Sequence, residues 1–190
     1  MSNPLINYLQ LSGTISTTDQ EAIEAATQFR TYKEGEVLAG LGKVCREMFF
    51  ICKGVLRIVK ENEKGNEVTH YFLKENQFCT ILYSFTNKVA TEESIQAACD
   101  AEVIVFQHDT LLELYKKMPH LKTIMDEIIQ KALLDKIQIR NAYLGEDSTT
   151  RYKTFIMRQP EIALRVPLND VASYLGITPQ SLSRIRKNIS

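Results

Sequence analysis

The sequence is poor in the groupings that hold metals. Its four cysteines, Cys45, Cys52, Cys79 and Cys99, are widely spaced and form no C-x-x-C pair. Zinc and iron–sulfur centres need clustered thiolates, so neither is expected. Its three histidines, His70, His108 and His120, include no two that stand two apart, which argues against a cupin-type enzyme built on a His-x-His metal site. No other catalytic constellation stands out, and an enzyme is not expected. Cys52 and Cys79 lie in apolar, strand-like surroundings and read as free buried thiols of a reducing compartment. No apolar run is long enough to span a bilayer, and the N-terminus lacks the basic-then-apolar pattern of a signal peptide. The expected location is therefore the cytoplasm, with no membrane partner.

Net charge is absent too, but only as a sum. From Ser148 onward there are seven bases (Arg151, Lys153, Arg158, Arg165, Arg184, Arg186, Lys187) and two acids (Glu161, Asp170), so this tail carries +5 and the rest of the neutral chain −5. A basic end on a mildly acidic body fits a nucleic-acid-binding module attached to something with another job.

What is present changes character along the chain. Thr18-Asp-Gln-Glu21 is a capping-box pattern, and Ile23, Ala26 and Phe29 follow on one side, which predicts a helix from Thr18 to Phe29. From Arg30 to Gln107, short β-branched and aromatic runs alternate with turn signals. The runs are Met48–Cys52, Val55–Val59, Val68–Leu73, Ser94–Ala98 and Val103–Phe106, and they predict an antiparallel roll. A short helix is expected from Thr110 to Met118. A long one is expected over His120–Leu144, where Leu121, Met125, Ile128, Ala132, Ile139 and Ala142 recur at steps of three and four, with Asp135 interrupting the seam. Ile124, Ile129, Leu133 and Ile137 widen that stripe, more than a small roll can cover, and predict pairing with a second copy. Gly145-Glu-Asp147 reads as a linker.

The last twenty-odd residues spell two helices around a tight turn. Leu168, Val171, Ala172 and Leu175 give the first an apolar face, Gly176 suits a helix end at positive φ, and Ile177 plugs the corner. Thr178 is a good N-cap and Pro179 suits the first helical position. Leu182, Ile185 and Ile189 are expected to bury the second helix, whose other face carries Gln180, Ser183, Arg184 and Lys187 with Arg186 on the flank. This is a helix-turn-helix pattern with a second helix able to enter a DNA major groove. Its candidate DNA-binding residues are Thr178, Gln180, Ser181, Ser183, Arg184, Arg186 and Lys187, with Arg151 and Lys153 as further phosphate contacts.

A roll, a long helix and a C-terminal helix-turn-helix together resemble the Crp–Fnr family of bacterial transcription regulators. The resemblance is carried by Tyr32-Lys-Glu-Gly-Glu36, by Phe49-Phe-Ile-Cys-Lys-Gly54 with Val55-Leu-Arg57, and by Leu168–Lys187. It implies an α+β fold: an N-terminal antiparallel β-roll of cyclic-nucleotide-binding type over 1–119, a dimerisation helix over 120–146, and an all-α helix-turn-helix domain over 147–190. Only three residues follow Lys187, so a domain lacking a full wing is expected. Double-stranded DNA, a second copy of the chain and RNA polymerase are the partners the resemblance implies.

Members of that family that bind cyclic AMP use a Gly-Glu pair followed about ten residues later by Arg and Ser or Thr. Aligned on Phe78 and Phe85, the Gly-Glu pair here becomes Thr80-Ile81, and the Arg-bearing stretch becomes Thr91-Glu92-Glu93. The arginine is gone, and two carboxylates stand where an anion would sit. At 4 Å, like charges repel by about 4 kcal/mol at an effective dielectric of 20. This degenerate pocket is expected not to bind cyclic AMP, and no cofactor is expected. The Fnr branch senses oxygen through clustered N-terminal cysteines, of which there are none before Cys45. An axial haem ligand would fall to His70 alone, a weak candidate. The expected function is sequence-specific DNA binding as a homodimer; the alternative is an effector-sensing module that acts through protein partners.

Overall fold

Two four-stranded antiparallel sheets face each other and form the roll, with helices packed on its flanks. The computed structural model describes residues 3–189; positions 1, 2 and 190, at the outer ends of the expected divisions, lie outside it. Helices α1 (Pro4–Gln10) and α2 (Thr17–Ala25) lead into strands β1 (Thr27–Tyr32), β2 (Val37–Ala39), β3 (Glu47–Lys53), β4 (Leu56–Glu61), β5 (Glu67–Leu73) and β6 (Phe78–Cys79). A short α3 (Leu82–Asn87) precedes β7 (Glu93–Ala97) and β8 (Ala101–Gln107). The chain is then helical through α4 (His108–Lys117), α5 (Pro119–Asn141), α6 (Ser148–Arg158), α7 (Pro160–Ala163), α8 (Leu168–Leu175) and α9 (Pro179–Ile189). The sheet orders are β1-β8-β3-β6 and β2-β7-β4-β5.

Successive side chains of a strand point to opposite faces, and here both faces are covered. Phe49 and Ile51 of β3, with Val103 and Val105 of β8, fill the roll interior. Their neighbours Met48, Phe50, Ile104 and Phe106 point outward under α1, α4 and α5. Double burial explains why these two strands read as unbroken apolar runs rather than alternating ones. Gly54 makes the turn into β4 at φ 95°, where a Cβ would stand 2.4 Å from the Asp100 carbonyl oxygen. The four cysteines are free thiols, and burial pushes Cys79 up to about 12.

Three expectations need correction. The early helix is capped two residues before Thr18: the Ser16 hydroxyl accepts from Asp19 N at 3.1 Å while Asp19 accepts from Ser16 N. Helix α2 ends at Ala25, and Phe29 lies exposed in β1 instead of on the helix. Helix α1 has no counterpart in the sequence reading, yet Leu5, Ile6 and Leu9 are buried and the Asn3 side chain caps it. The third correction concerns the long helix, which spans Pro119–Asn141. Leu121, Met125 and Ile128, expected at a seam between copies, are buried against α1, α4 and the outer sheet face of the same chain. The roll with α1 covers the first half of the stripe. Leu133, Leu134 and Ile137 in the second half remain exposed.

Candidate nucleic-acid interface and sensor pocket

Helix α8 stops because Gly176 adopts φ 65°. The Gly176 amide donates to Ser173 O at 3.1 Å and the Ile177 amide to Ala172 O at 3.0 Å, closing a Schellman motif. The Thr178 hydroxyl then accepts from Ser181 N at 3.1 Å and donates to Ser181 Oγ, so α9 starts with its first turn fixed. Leu182 is fully buried against Val171, Ala172 and Leu175 and anchors α9. Ile185 and Ile189 are only half-buried, so the apolar contact of α9 is narrower than the sequence suggested.

The opposite face of α9 is open. Gln180, Ser183, Arg184, Arg186 and Lys187 are exposed together, Thr178 is exposed at the start, and Ser181 is half-buried beneath them. Thr178 and Ser181 are thus committed to the cap. Arg151 is placed differently from its expected role: it is half-buried on α6, and a Cβ at Gly176 would lie 3.5 Å from its Nη1. Lys153 is exposed.

The helix pair is seated on the roll. Val55, Phe72 and Ala98 share a core with Phe155, Ile162, Val166, Val171, Ala172, Leu175 and Leu182. Fully burying one such side chain contributes about 1.5–3 kcal/mol, so this seam is a substantial apolar contact. Polar links surround it. The guanidinium of Arg57 reaches Asp170 on α8 at 2.6 Å, Gln96 at 2.7 Å and Glu67 at 2.8 Å. Ser173 Oγ accepts from Thr69 N at 2.8 Å, and Arg165 grips Glu75 at 2.5 and 2.9 Å. Burial raises the Asp170 carboxyl despite the opposing charge of Arg57. Hydrogen bonding from Arg165 holds Glu75 down to about 2. The links from the roll to the helical region, Arg57 to Asp170, Thr69 to Ser173 and Glu75 to Arg165, were not legible in the sequence, because each joins residues ninety or more positions apart.

The five residues of the expected sensor pocket do not converge on one cavity. The Thr80 hydroxyl donates to Glu47 O at 2.9 Å, and Ile81 is buried in the roll interior. Thr91 is buried and accepts from Glu93 N at 2.9 Å. Glu92 pairs with Lys60 at 2.8 Å, a hydrogen bond that lowers its pKa, and Glu93 meets His70 Nδ1 at 2.9 Å. The two carboxylates are therefore partnered on the strands, not left facing a vacant anion site. Of the five, Thr80 borders a cavity of about 360 Å³ between α5, β5 and β6, which Tyr71, Phe78, Ile128 and Lys136 also line. The Lys136 amine sits 4.7 Å from the Tyr71 ring centroid, and burial lowers its pKa.

Residues 29–118, a little under half of the chain, match the family described as the cyclic nucleotide-binding domain. No curated protein is a detectable relative of the sequence. Among solved structures, FixK2 from Bradyrhizobium japonicum is 15% identical, with 86% of this chain and 84% of that one covered and a TM-score of 0.73. A putative transcriptional regulator of the Crp/Fnr family from Eubacterium rectale is 17% identical, covering 96% and 87%, again with a TM-score of 0.73. CLP from Xanthomonas campestris, described as a c-di-GMP responsive global regulator, is 16% identical over 92% and 91%, with a TM-score of 0.70. The chain shares the fold of these proteins, an antiparallel roll followed by a helical C-terminal region. No helix among the described residues is long and apolar enough to cross a membrane.

Proposed function

We propose that this chain is a sequence-specific DNA-binding transcription regulator that works as a homodimer and does not respond to cyclic AMP. The observation that carries the reading is the open polar face of α9, where Gln180, Ser183, Arg184 and Lys187 project from a helix fixed at its start and anchored at Leu182. Gln180 can pair with adenine N6 and N7, and Arg184 with guanine O6 and N7, in a major groove. Arg186, Lys187 and Lys153 suit phosphates, and Thr178 and Ser181 set the start and register of the helix. The working division is a sensor to residue 119, a connecting and pairing helix to 146, and a DNA-binding unit beyond. Regulator descriptions among the structural neighbours, and the cyclic nucleotide-binding match over the roll, support the same reading.

Selection of fragments from a random DNA pool tests it, followed by titration of the winning site against scrambled DNA at fixed salt. Arg184→Ala is expected to cost about 1–3 kcal/mol per half-site and to relax preference at one base pair. Equal losses on both DNAs would make Arg184 a phosphate contact, and no selected sequence at low salt would favour action through protein partners instead.

Indifference to cyclic AMP rests on packing and lost counter-charge. Ile81 occupies the roll interior, the Thr80 hydroxyl is spent on Glu47, and Lys88 pairs with Asp109 at 3.3 Å. A ligand present at a hundred times its dissociation constant would add about 2.7 kcal/mol of stability. Millimolar cyclic AMP is expected to leave the melting temperature unchanged; a rise of several degrees would overturn this part of the reading.

A further inference from the structure

Strand β5 ends the order β2-β7-β4-β5, so its outward amides have no neighbouring strand to bond. Helix α8 covers that edge. The buried Thr69 amide donates to Ser173 Oγ at 2.8 Å, and Ser173 Oγ donates to Glu67 O at 3.4 Å. Beneath α8, Val171, Ala172 and Leu175 share the core with Val55 and Phe72 of the roll. Apolar burial supplies adhesion, but it is non-directional and does not by itself fix the rotation of a helix on a sheet.

Arg57 supplies the direction. It stands opposite Gln96 in the β4–β7 register. Its Nη2 donates to Gln96 Oε1 at 2.7 Å and to Glu67 Oε2 at 2.8 Å, and Gln96 Nε2 donates to Glu67 Oε1 at 2.6 Å. The roll thus holds the guanidinium rigid, and its Nη1 crosses to Asp170 Oδ1 at 2.6 Å. The two side chains of that pair are only 12% and 16% exposed. Asp170 is the only acidic residue on α8 or α9. It lies three positions before Ser173, on the same face of α8, so two polar points one turn apart are tied to the roll. A buried ion pair adds little net stability, and its best-attested use is to specify register. The planar guanidinium fork also imposes an angle that the point charge of a lysine does not.

We propose that Arg57 is the positioning residue of the helix pair: through Asp170 it sets the rotation of α8 on the roll, and with it the direction in which α9 presents Gln180 and Arg184. The turn at Gly176 and the packing of Leu182 join the two helices, so a rotation of α8 carries α9 with it. The consequence for site reading rests on the DNA-binding function proposed above; the control of the helix setting does not.

The test is a double-mutant cycle in the full chain with Arg57→Gln, Asp170→Asn and the two combined. The DNA is the site selected from a random pool, with its scrambled counterpart at the same salt. Each single variant is expected to weaken binding to the selected site by about tenfold, the equivalent of about 1.4 kcal/mol. Binding to scrambled DNA, carried by phosphate contacts, is expected to stay unchanged. The double variant is expected to lose no more than the weaker single variant, since the two residues act as one contact. Arg57→Lys keeps the charge without the fork and is expected to restore the melting temperature but not the site preference. Restoration of both would reduce Arg57 to support of the fold and overturn the proposal, as would additive losses or equal losses on both DNAs. Asp170→Asn preserves side-chain shape and keeps the test valid if Arg57→Gln fails to fold. Native-state hydrogen exchange gives a readout without DNA: the Thr69 amide is expected to exchange about tenfold faster in the variants, with the Val103 amide of β8 unchanged. A wild-type chain that selects no sequence overturns the DNA-binding reading, and Thr69 exchange then decides the role of Arg57 alone. Unchanged exchange at Thr69 overturns it.

Discussion

At the scale of single residues, position in the backbone decides more than chemical type. Gly54 sits at φ 95° with the Asp100 carbonyl 2.4 Å from where a Cβ would be, and its amide donates to Glu75 Oε1 at 2.7 Å. Both the dihedral and the close approach exclude a side chain. Gly54→Ala is expected to destabilise the chain by about 1–3 kcal/mol, as for other residues forced into sparsely populated backbone regions. Gly65 has a similar φ of 74° but nothing near its Cβ position, so Gly65→Ala there meets the backbone penalty alone and serves as the control. Chemical denaturation of the two variants checks this, and equal losses would show that the contact with Asp100 adds nothing.

At the scale of elements, α5 divides into two halves with different tasks. Its first half buries Leu121, Ile124, Met125 and Ile128 in the chain's own core, while Leu133, Leu134 and Ile137 stay exposed on the second. A contiguous exposed apolar face marks an interaction site. Ile128→Glu is therefore expected to damage the fold, by several kcal/mol, because it buries an unpaired charge. Ile137→Glu is expected to leave the melting temperature nearly unchanged and to yield monomers in sedimentation. A wild-type monomer at micromolar concentration would remove the basis for pairing through α5. The periodicity of the helix was plain in the sequence, but period alone cannot tell a face covered from within the chain from one covered by a second copy.

At the scale of the whole molecule, the helical region is tied to the roll by pairs that titrate. Arg165 holds Glu75 at about 2, well below the ordinary carboxylate value of 4.5. A depressed folded pKa gives stability that is present above the ordinary value and lost as the pH falls toward the folded one. Melting temperature is expected to fall between pH 4.5 and pH 2, and Glu75→Gln to flatten that slope. Asp170 works with the opposite sign, since burial raises its pKa and favours the protonated form in the folded state. An unchanged acid slope in Glu75→Gln would show that the Arg165 contact contributes nothing to stability.

Local pattern determined the elements: the apolar runs of β3 and β8, the Gly176 turn between α8 and α9, and the polar residues Gln180, Ser183, Arg184 and Lys187 that face outward on α9. Those signals act over a few residues, through side-chain alternation, φ preference and capping, and so they are written in sequence order. The cap at Ser16, close to the expected Thr18, shows the limit of that resolution, since neighbouring hydroxyls compete for the same helix amides. Helix α1 was missed because its seven residues carry too little period to stand out, and its burial comes from α5 and the outer sheet face. Tertiary structure alone decided that half of α5 is core, that Glu92 and Glu93 find Lys60 and His70, and that Arg151 is drawn under the turn after α8. Each of these depends on which distant residues meet, and a charge or an apolar face has no fixed role until its partner, or the lack of one, is set by the fold.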